Sequence, residues 1–391
     1  MNKLKVALST IGKFHTFDLA RALFRHDSLA GIYTGYPRFK LKNEGVPAPL
    51  IHTFPYLHAP YMGFRWRHLL AIKVQREWEY WDRVSFDRHV AKNIVPCDVF
   101  SGLSGSALIT GRVVKRRGGI YVCDRGSCHI RMQDRLLREE HARWGLPYRA
   151  IDPRIIAREE DEYDLSDAIT IPSGFVYRSF VECGISPEKL RVVPYGVNLE
   201  RFHKVADPDP TRFDVLSVCA LSLRKGVPDL LKAFSMVTHK NKTLTLAGNY
   251  DPAFVAWLGK MNLLSDKVII LGHVPQQKLK QVMSRSHVLV LASIEEGLSM
   301  VLAQAMACGC PVVATANTGA QDLFTDGKEG FICPARDDRM LADRLQQLAD
   351  SPDLQGRMSA ASLLKVTGIG GWHQYGLSMI SAFQDQLVRA G

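Results

Sequence analysis

The stretch from Leu289 to Val313 admits few folds. It begins within a short apolar run, Val288 to Ala292, of the kind that fills a strand buried on both faces. A polar turn follows from Ser293 to Gly297, and then an apolar segment from Leu298 to Ala307. Gly309 and Pro311 close that segment with helix-stop residues, and Pro311 to Thr315 reads as the next strand. Strand, loop, buried helix and strand make a βαβ unit whose loop lies at the carboxyl edge of a parallel sheet. Open α/β sheets bind their ligands at that edge.

Two features give the loop its chemistry. Glu295 and Glu296 stand at the strand's end, and Gly297 lets the backbone come close to whatever they hold. The helix beyond offers unpaired N–H groups and the positive end of its dipole, which suit a phosphate. Gln304 is the one long polar side chain of that helix, a little over two turns after Glu296, and its amide needs a partner.

These residues carry a family resemblance. Glu296-Gly-Leu-Ser-Met-Val-Leu-Ala-Gln304-Ala-Met-Ala-Cys-Gly-Cys-Pro-Val-Val-Ala-Thr resembles the donor-site signature of retaining glycosyltransferases of family 4. In that signature a Glu is followed, after seven residues, by a second Glu, then by Ala-Met-Ala-Cys-Gly and Pro-Val-Val. The resemblance implies that Glu296 holds hydroxyls of a donor sugar. It also implies that backbone amides of Gly297, Leu298, Ser299, Met300 and Val301 hold sugar and diphosphate. Gln304 stands where the family's second Glu holds the nucleotide ribose. A carboxylate accepts from both ribose hydroxyls, whereas an amide accepts with its oxygen and donates with its nitrogen, so this departure alters strength or base preference. Read from the residues alone, Glu296 could instead cap the helix, and Gln304 could be a buried amide satisfied by backbone.

The chain has 391 residues, enough for two domains, and its 46% hydrophobic and 23% charged content is that of a globular protein. No apolar run reaches the roughly 18 residues of a membrane-spanning helix. The amino terminus, Met-Asn-Lys-Leu-Lys-Val-Ala-Leu-Ser-Thr, reads as a first strand rather than a signal peptide, so a cytoplasmic protein is expected. The eight cysteines are scattered without a Cys-x-x-Cys pair, which favours buried thiols over a zinc site. Charge is unevenly placed: residues 1–150 hold 25 Lys and Arg against 12 Asp and Glu (25 − 12 = +13), and residues 151–391 hold 25 against 27 (25 − 27 = −2). A basic first half suggests an acidic partner: an anionic membrane surface, a lipid diphosphate or nucleic acid. No nucleic-acid reader motif accompanies the charge, so nucleic acid is the least favoured.

Along the first half, Leu4 to Ser9 reads as a strand leading into Thr10-Ile-Gly-Lys-Phe-His-Thr, without a Gly-x-Gly-x-x-Gly fingerprint. Residues 35–62 read as an irregular insertion. Phe64 to Ile94 reads as a long helix mixing Trp66, Trp78, Tyr80 and Trp81 with Arg65, Arg67, Lys73, Arg76 and Arg83. Such a helix is either a core element with solvated charges or a membrane-surface element. Strands are expected at 98–101, 118–123, 167–171 and 190–194. In the second half they are expected at 214–219, 243–247, 268–271, 288–292 and 311–315, alternating with helices as in a doubly wound sheet. Arg224-Lys225-Gly226 follows one of these strands and starts a helix. Cations are unfavourable at a helix start unless an anion sits there, which points to a diphosphate.

The resemblance extends the expectation to the whole chain. It implies an α/β protein of the GT-B fold, two Rossmann-like doubly wound parallel-sheet domains facing a cleft. Residues 1–196 form the acceptor-side domain, residues 197–371 the donor-binding domain, and helix 372–391 crosses back to the first. Tyr195-Gly-Val-Asn-Leu-Glu-Arg-Phe202 is similar to the family's interdomain segment. Gly12 and Lys13 sit where the family's first loop meets the donor diphosphate, and Lys13 could equally be a surface cation. His129 takes the place of a histidine that faces the donor sugar, or is a turn histidine bonded to backbone.

The implied reaction is transfer of a hexosyl unit from a nucleotide diphosphate sugar to a saccharide or lipid-linked saccharide hydroxyl, with retention and without metal or other cofactor. Its setting is envelope or exopolysaccharide synthesis, at the inner face of the membrane if the basic domain docks there. A nucleotide-sugar epimerase of the same fold would convert donor without acceptor. A degenerate partner, suggested by Gln304 and by Ala220 at a position where the family carries Arg, would bind donor without turning it over.

Overall fold

The structure is a computed structural model that describes residues 3–64, 70–198 and 200–390. Two parallel sheets organise the chain. The first has seven strands: β1 (Val6–Thr10), β2 (Leu29–Thr34), β3 (Ile51–Thr53), β4 (Val99–Leu103), β5 (Ile120–Asp124), β6 (Ala168–Ile171) and β7 (Leu190–Val192). Their spatial order is β3-β2-β1-β4-β5-β6-β7. The second has six: β8 (Phe213–Val218), β9 (Lys242–Ala247), β10 (Val268–Gly272), β11 (Val288–Leu291), β12 (Val312–Thr315) and β13 (Gly330–Cys333), in the order β10-β9-β8-β11-β12-β13. In each sheet the order reverses once, between β1 and β4 and between β8 and β11. The crevices left at those reversals are where doubly wound sheets hold ligands.

Helices cover both faces. The first sheet carries α1 (Thr16–Arg25), α2 (His58–Gly63), α3 (Ile72–Asn93), α4 (Leu108–Arg116), α5 (Ile130–Arg143), α6 (Pro153–Leu165) and α7 (Gly174–Glu182). The second carries α8 (Val227–Met236), α9 (Pro252–Lys260), α10 (Gln276–Ser284), α11 (Met300–Ala307), α12 (Ala320–Leu323), α13 (Asp338–Asp350) and α14 (Pro352–Ile369). The last helix, α15 (Trp372–Ala390), leaves the second sheet and packs against α1. Tyr375, Met379 and Phe383 join Phe17, Leu19 and Leu23 in one core layer of the first sheet. Each buried side chain of that size contributes roughly 1.5–3 kcal/mol, enough to fasten the carboxyl-terminal helix to the amino-terminal domain.

The four residues of β11, Val-Leu-Val-Leu, are all buried, as expected of a strand covered on both faces. The insertion read as irregular is more ordered than its Pro and Gly content suggests. Residues 51–53 add β3 to the sheet edge, paired with β2, and residues 58–63 form α2. The long helix begins later than expected, at Ile72, and Arg65, Trp66 and Arg67 lie outside the described residues. α3 buries two carboxylates along with Val84, Phe86 and Val90. Asp87 accepts from the N–H groups of Ile109 and Thr110 at the start of α4, and Asp82 bonds His58 at 2.9 Å. All eight cysteines are free thiols.

Candidate active site

The two switch points face each other across a cleft, and the residues around Glu296 line its second-domain side. Gly226 explains how they meet. It adopts the left-handed conformation (φ +62°), and a Cβ there would lie 1.9 Å from the carbonyl oxygen of Ala292. Only glycine lets the Leu223–Lys225 turn pack directly on the end of β11. That packing delivers Lys225 Nζ to Glu296 Oε1 at 2.6 Å, while Ser293 Oγ donates to Glu296 Oε2 at 3.1 Å. Both partners of this ion pair keep a little under a fifth of their side-chain surface open to solvent, so an incoming anion can compete for Lys225.

Glu295, one residue earlier, has a different task. Its carboxylate is fully buried and crosses the cleft. It accepts from Ser127 Oγ, from Cys128 N at 3.3 Å and from Gln133 Nε2 at 3.1 Å, all in the first domain. Arg224 Nε approaches it at 2.9 Å from its own domain. Burial would push its pKa up, but Arg224, the Ser127 hydroxyl, Arg125 and the Cys128 N–H outweigh burial and hold it below the usual carboxylate value. Glu295 is thus an ionised clamp between domains.

Gly297 makes the approach closer still. A Cβ on it would stand 1.8 Å from the carbonyl oxygen of Gly126, so the two backbones touch across the cleft. Ser173 Oγ donates to the Gly297 carbonyl at 2.6 Å. Further out, Arg143 forks onto Asp229 at 2.8 and 2.7 Å, and Arg336 reaches Glu140 at 2.8 Å. The cleft is closed at this edge by charge-assisted bonds.

At the start of α11, the N–H groups of Gly297, Leu298, Met300 and Val301 have no intramolecular partner among the described residues. They form the open, electropositive end of a buried helix. The N–H of Ser299 departs from the expectation. It donates to the Thr318 carbonyl at 3.0 Å and is not free for a diphosphate. Gln304 is half-buried, and its side-chain amide has no hydrogen-bond partner among the described residues. It faces a cavity of about 840 Å³ that Lys13, Arg201 and Met300 also line. Lys13 is paired with Glu44 on the wall of that cavity, whereas Gly12 does not line it and its carbonyl accepts from Thr34 Oγ1 at 2.9 Å.

A larger cavity, about 890 Å³, lies between the domains next to it and shares Met300, Trp372 and Asp18. Arg224 enters it from the second domain; His15, Arg125, Ser127 and Tyr195 enter from the first. A small apolar cavity, about 260 Å³, opens at the carboxyl ends of β8 and β9, walled by Ala220, Gly248, Asn249, His273 and Val274.

The structure corrects the role given to His129. Its ring is buried, packed between Tyr163 and Phe180, and its Nδ1 accepts from the Arg131 N–H as the cap of α5. Burial first and Arg125 second depress its pKa to about 4, which keeps it neutral. It does not face the cleft. The histidine that does is His15, whose Nε2 lies 2.6 Å from Asp124 Oδ2 and whose ring lies tilted against Tyr195, 4.5 Å between centroids. Sequence alone does not single out His15, because β1 and β5, which bring His15 and Asp124 together, are separated by more than a hundred residues. Its only local signal was its place in the loop after the first strand.

Among the described residues no group of three or more His, Cys, Asp or Glu is arranged to hold a metal ion. None of the described helices is long and apolar enough to cross a membrane.

Residues 199–363 match the family model of glycosyl transferases group 1. The second domain is thus similar to glycosyl transferases group 1. Among curated relatives, D-inositol 3-phosphate glycosyltransferase of Frankia alni is 28% identical over 225 residues, covering 52% of this chain and 55% of that protein. The amylovoran biosynthesis glycosyltransferase AmsK of Erwinia amylovora is 24% identical over 209 residues, covering 50% and 49%. The matches thus span about half the length of these relatives. Of solved structures, Anabaena HepE in complex with UDP and glucose superposes with a TM-score of 0.72 at 15% identity, over 98% of this chain and 100% of that one. The two-domain fold is that of GT-B glycosyltransferases.

Proposed function

We propose that this chain is a retaining hexosyltransferase of the group 1 family that uses a nucleotide diphosphate sugar and needs no divalent cation. The observation that carries the reading is the convergence of Lys225, Arg224, Glu296 and the open end of α11 on one side of a closed cleft. Two cations and a helix amino terminus meet the charge of a departing diphosphate, which is the term that preorganised electrostatics serves best. Glu296 holds sugar hydroxyls once Lys225 turns to phosphate. Gln304 reaches the ribose, and the small cavity beside Ala220 and Gly248 takes the base. Uracil is the first base to try, because the structural neighbour HepE was solved with UDP.

In the reaction the bond between the anomeric carbon and the diphosphate oxygen breaks. A bond from the acceptor oxygen forms on the same face, and the acceptor proton passes to the departing phosphate. His15, held by Asp124, faces this space from the first domain. Closure through Glu295 and Gly297 excludes water from it.

The acceptor is a saccharide, free or lipid-linked, in envelope or extracellular polysaccharide synthesis; the Erwinia relative is named for amylovoran biosynthesis. A peripheral place at the membrane fits the basic first domain and the exposed Tyr56, Met62, Ile72, Val74 and Trp81. Sedimentation with anionic vesicles at low salt should carry the protein down; no sedimentation would remove the membrane from the account.

A thermal-shift screen of nucleoside diphosphates and their sugars, with and without EDTA, tests the donor reading. One base should stabilise the fold most, and EDTA should change nothing. An absence of any shift would remove the donor site. Consumption of donor sugar without an acceptor product would favour the epimerase.

A further inference from the structure

The larger cavity has an electrostatic imbalance that the donor does not explain. Each carboxylate that lines it already has a cation. Asp18 is bonded to Arg21, Glu79 to Arg149 at 3.0 Å, Asp152 to Arg154 at 2.7 Å and Glu159 to Arg125 at 2.7 Å. Two lining arginines, Arg76 and Arg83, make no ion pair among the described residues. Arg76 and Arg83 stand two turns apart on α3, so their side chains leave the same side of the helix. Arg76 gives one Nη donor to the Ala150 carbonyl at 3.2 Å, while its Nε is a buried donor without a partner. Arg83 is half-buried and makes no hydrogen bond or ion pair among the described residues. Gly105 leaves it room: a Cβ there would stand 2.7 Å from Arg83 Nη1 and 3.1 Å from Glu159 Oε1, the carboxylate already paired with Arg125.

Half-buried guanidinium groups without a counter-charge are unfavourable, and their planar forks match the oxygens of phosphate and carboxylate. Two uncompensated charges match a phosphate monoester or diphosphate, of charge about −1.5 to −2, better than a single carboxylate. The donor diphosphate is met from the second domain, by Arg224, which lines the other side of this cavity, and by its neighbour Lys225. We propose that Arg76 and Arg83 form a second anion subsite, which takes a phosphate or diphosphate group carried by the acceptor. The word acceptor rests on the transferase reading; the subsite itself does not.

Isothermal titration of inorganic pyrophosphate into the full chain, at low ionic strength with UDP in excess, reads this subsite apart from the donor site. The R76Q/R83Q variant should bind pyrophosphate roughly tenfold or more weakly, with an unchanged melting temperature and unchanged UDP binding, and R83K should keep part of the affinity. K225A should lose UDP affinity while its pyrophosphate affinity at this subsite stays within about twofold. Pyrophosphate binding by R76Q/R83Q equal to that of the unaltered chain would overturn the subsite. If UDP fails to bind and arginine-dependent pyrophosphate binding persists, the donor reading falls and the subsite stands.

Two competitors separate the sources of the phosphate. Displacement by a polyprenyl diphosphate sugar in detergent, and not by glucose 1-phosphate, assigns it to a lipid carrier; displacement by both assigns it to the sugar phosphate group itself. Displacement by neither would overturn the acceptor assignment.

Discussion

The two walls of the cleft are built in opposite ways. On the second-domain wall, Glu295, Glu296, Gly297 and the start of α11 are consecutive, and Arg224 and Lys225 join them through one glycine turn. On the first-domain wall, His15 follows β1, Arg76 and Arg83 come from α3, Asp124 ends β5 and Ser127 follows it, and Gln133 comes from α5. A wall made from one βαβ unit has its geometry set by local backbone rules. A wall made from side chains on four separate elements is set only by the packing of the whole domain. The first kind suits a ligand part shared by many enzymes, a diphosphate; the second suits whatever is particular to one acceptor.

Substitutions can break this contrast. The largest effect belongs to Lys225→Ala, which removes a cation from the departing diphosphate and should lower kcat by roughly 10²–10³-fold. A steady-state assay with saturating donor measures it; a drop of less than about threefold would detach Lys225 from the chemistry.

His129 marks the limit of the first-domain wall, as a residue of that domain that serves the fold alone. Its pKa lies near 4 when folded against 6.5 in a model peptide, so between those values the unfolded chain binds the extra proton. Stability should therefore fall as pH drops from about 6.5 to about 4, by up to ~3 kcal/mol from this group. His129→Asn keeps a cap that does not titrate and should flatten this part of a melting-temperature-against-pH curve. An identical slope in the variant would contradict the buried, neutral assignment.

Glu295→Gln tests the clamp that joins the walls. It removes a buried negative charge that compensates Arg224 and accepts from Ser127, Cys128 and Gln133. A loss of about 1–3 kcal/mol by chemical denaturation is expected, with a larger radius of gyration in X-ray scattering as the cleft opens. Unchanged scattering and stability would remove Glu295 from the interface. The smallest effect is expected of Gln304→Glu, which changes ribose contacts only and should shift donor affinity by a few-fold, with kcat unaltered.

What was legible follows the same division. The strand from Val288, the glycine and proline stops and the buried helix were all written in local sequence, and both sheets follow from repeating that pattern. Lys225 and Glu296 could be named because each stands at a strand's carboxyl end. The signature singled out Glu296, but the clamp role of Glu295 could not be read, because which carboxylate reaches the other domain depends on the docking of Gly297 on Gly126. His129 was misjudged for a related reason. A histidine just before a helix reads as site or as cap with equal ease, and only the packing of Tyr163 and Phe180 decides for the cap. Nothing in the spacing of α3 showed that Arg76 and Arg83 would lack partners, since their would-be partners are drawn off by arginines from other segments.

The central claim is that the second-domain wall binds a nucleoside diphosphate through Lys225. Calorimetric titration of UDP, and of the other nucleoside diphosphates in turn, into the unaltered chain, K225A and R83Q tests it most directly. The account predicts tight binding of one base, at least about tenfold weaker binding in K225A, and no change in R83Q. Equal affinity in K225A and the unaltered chain would contradict it.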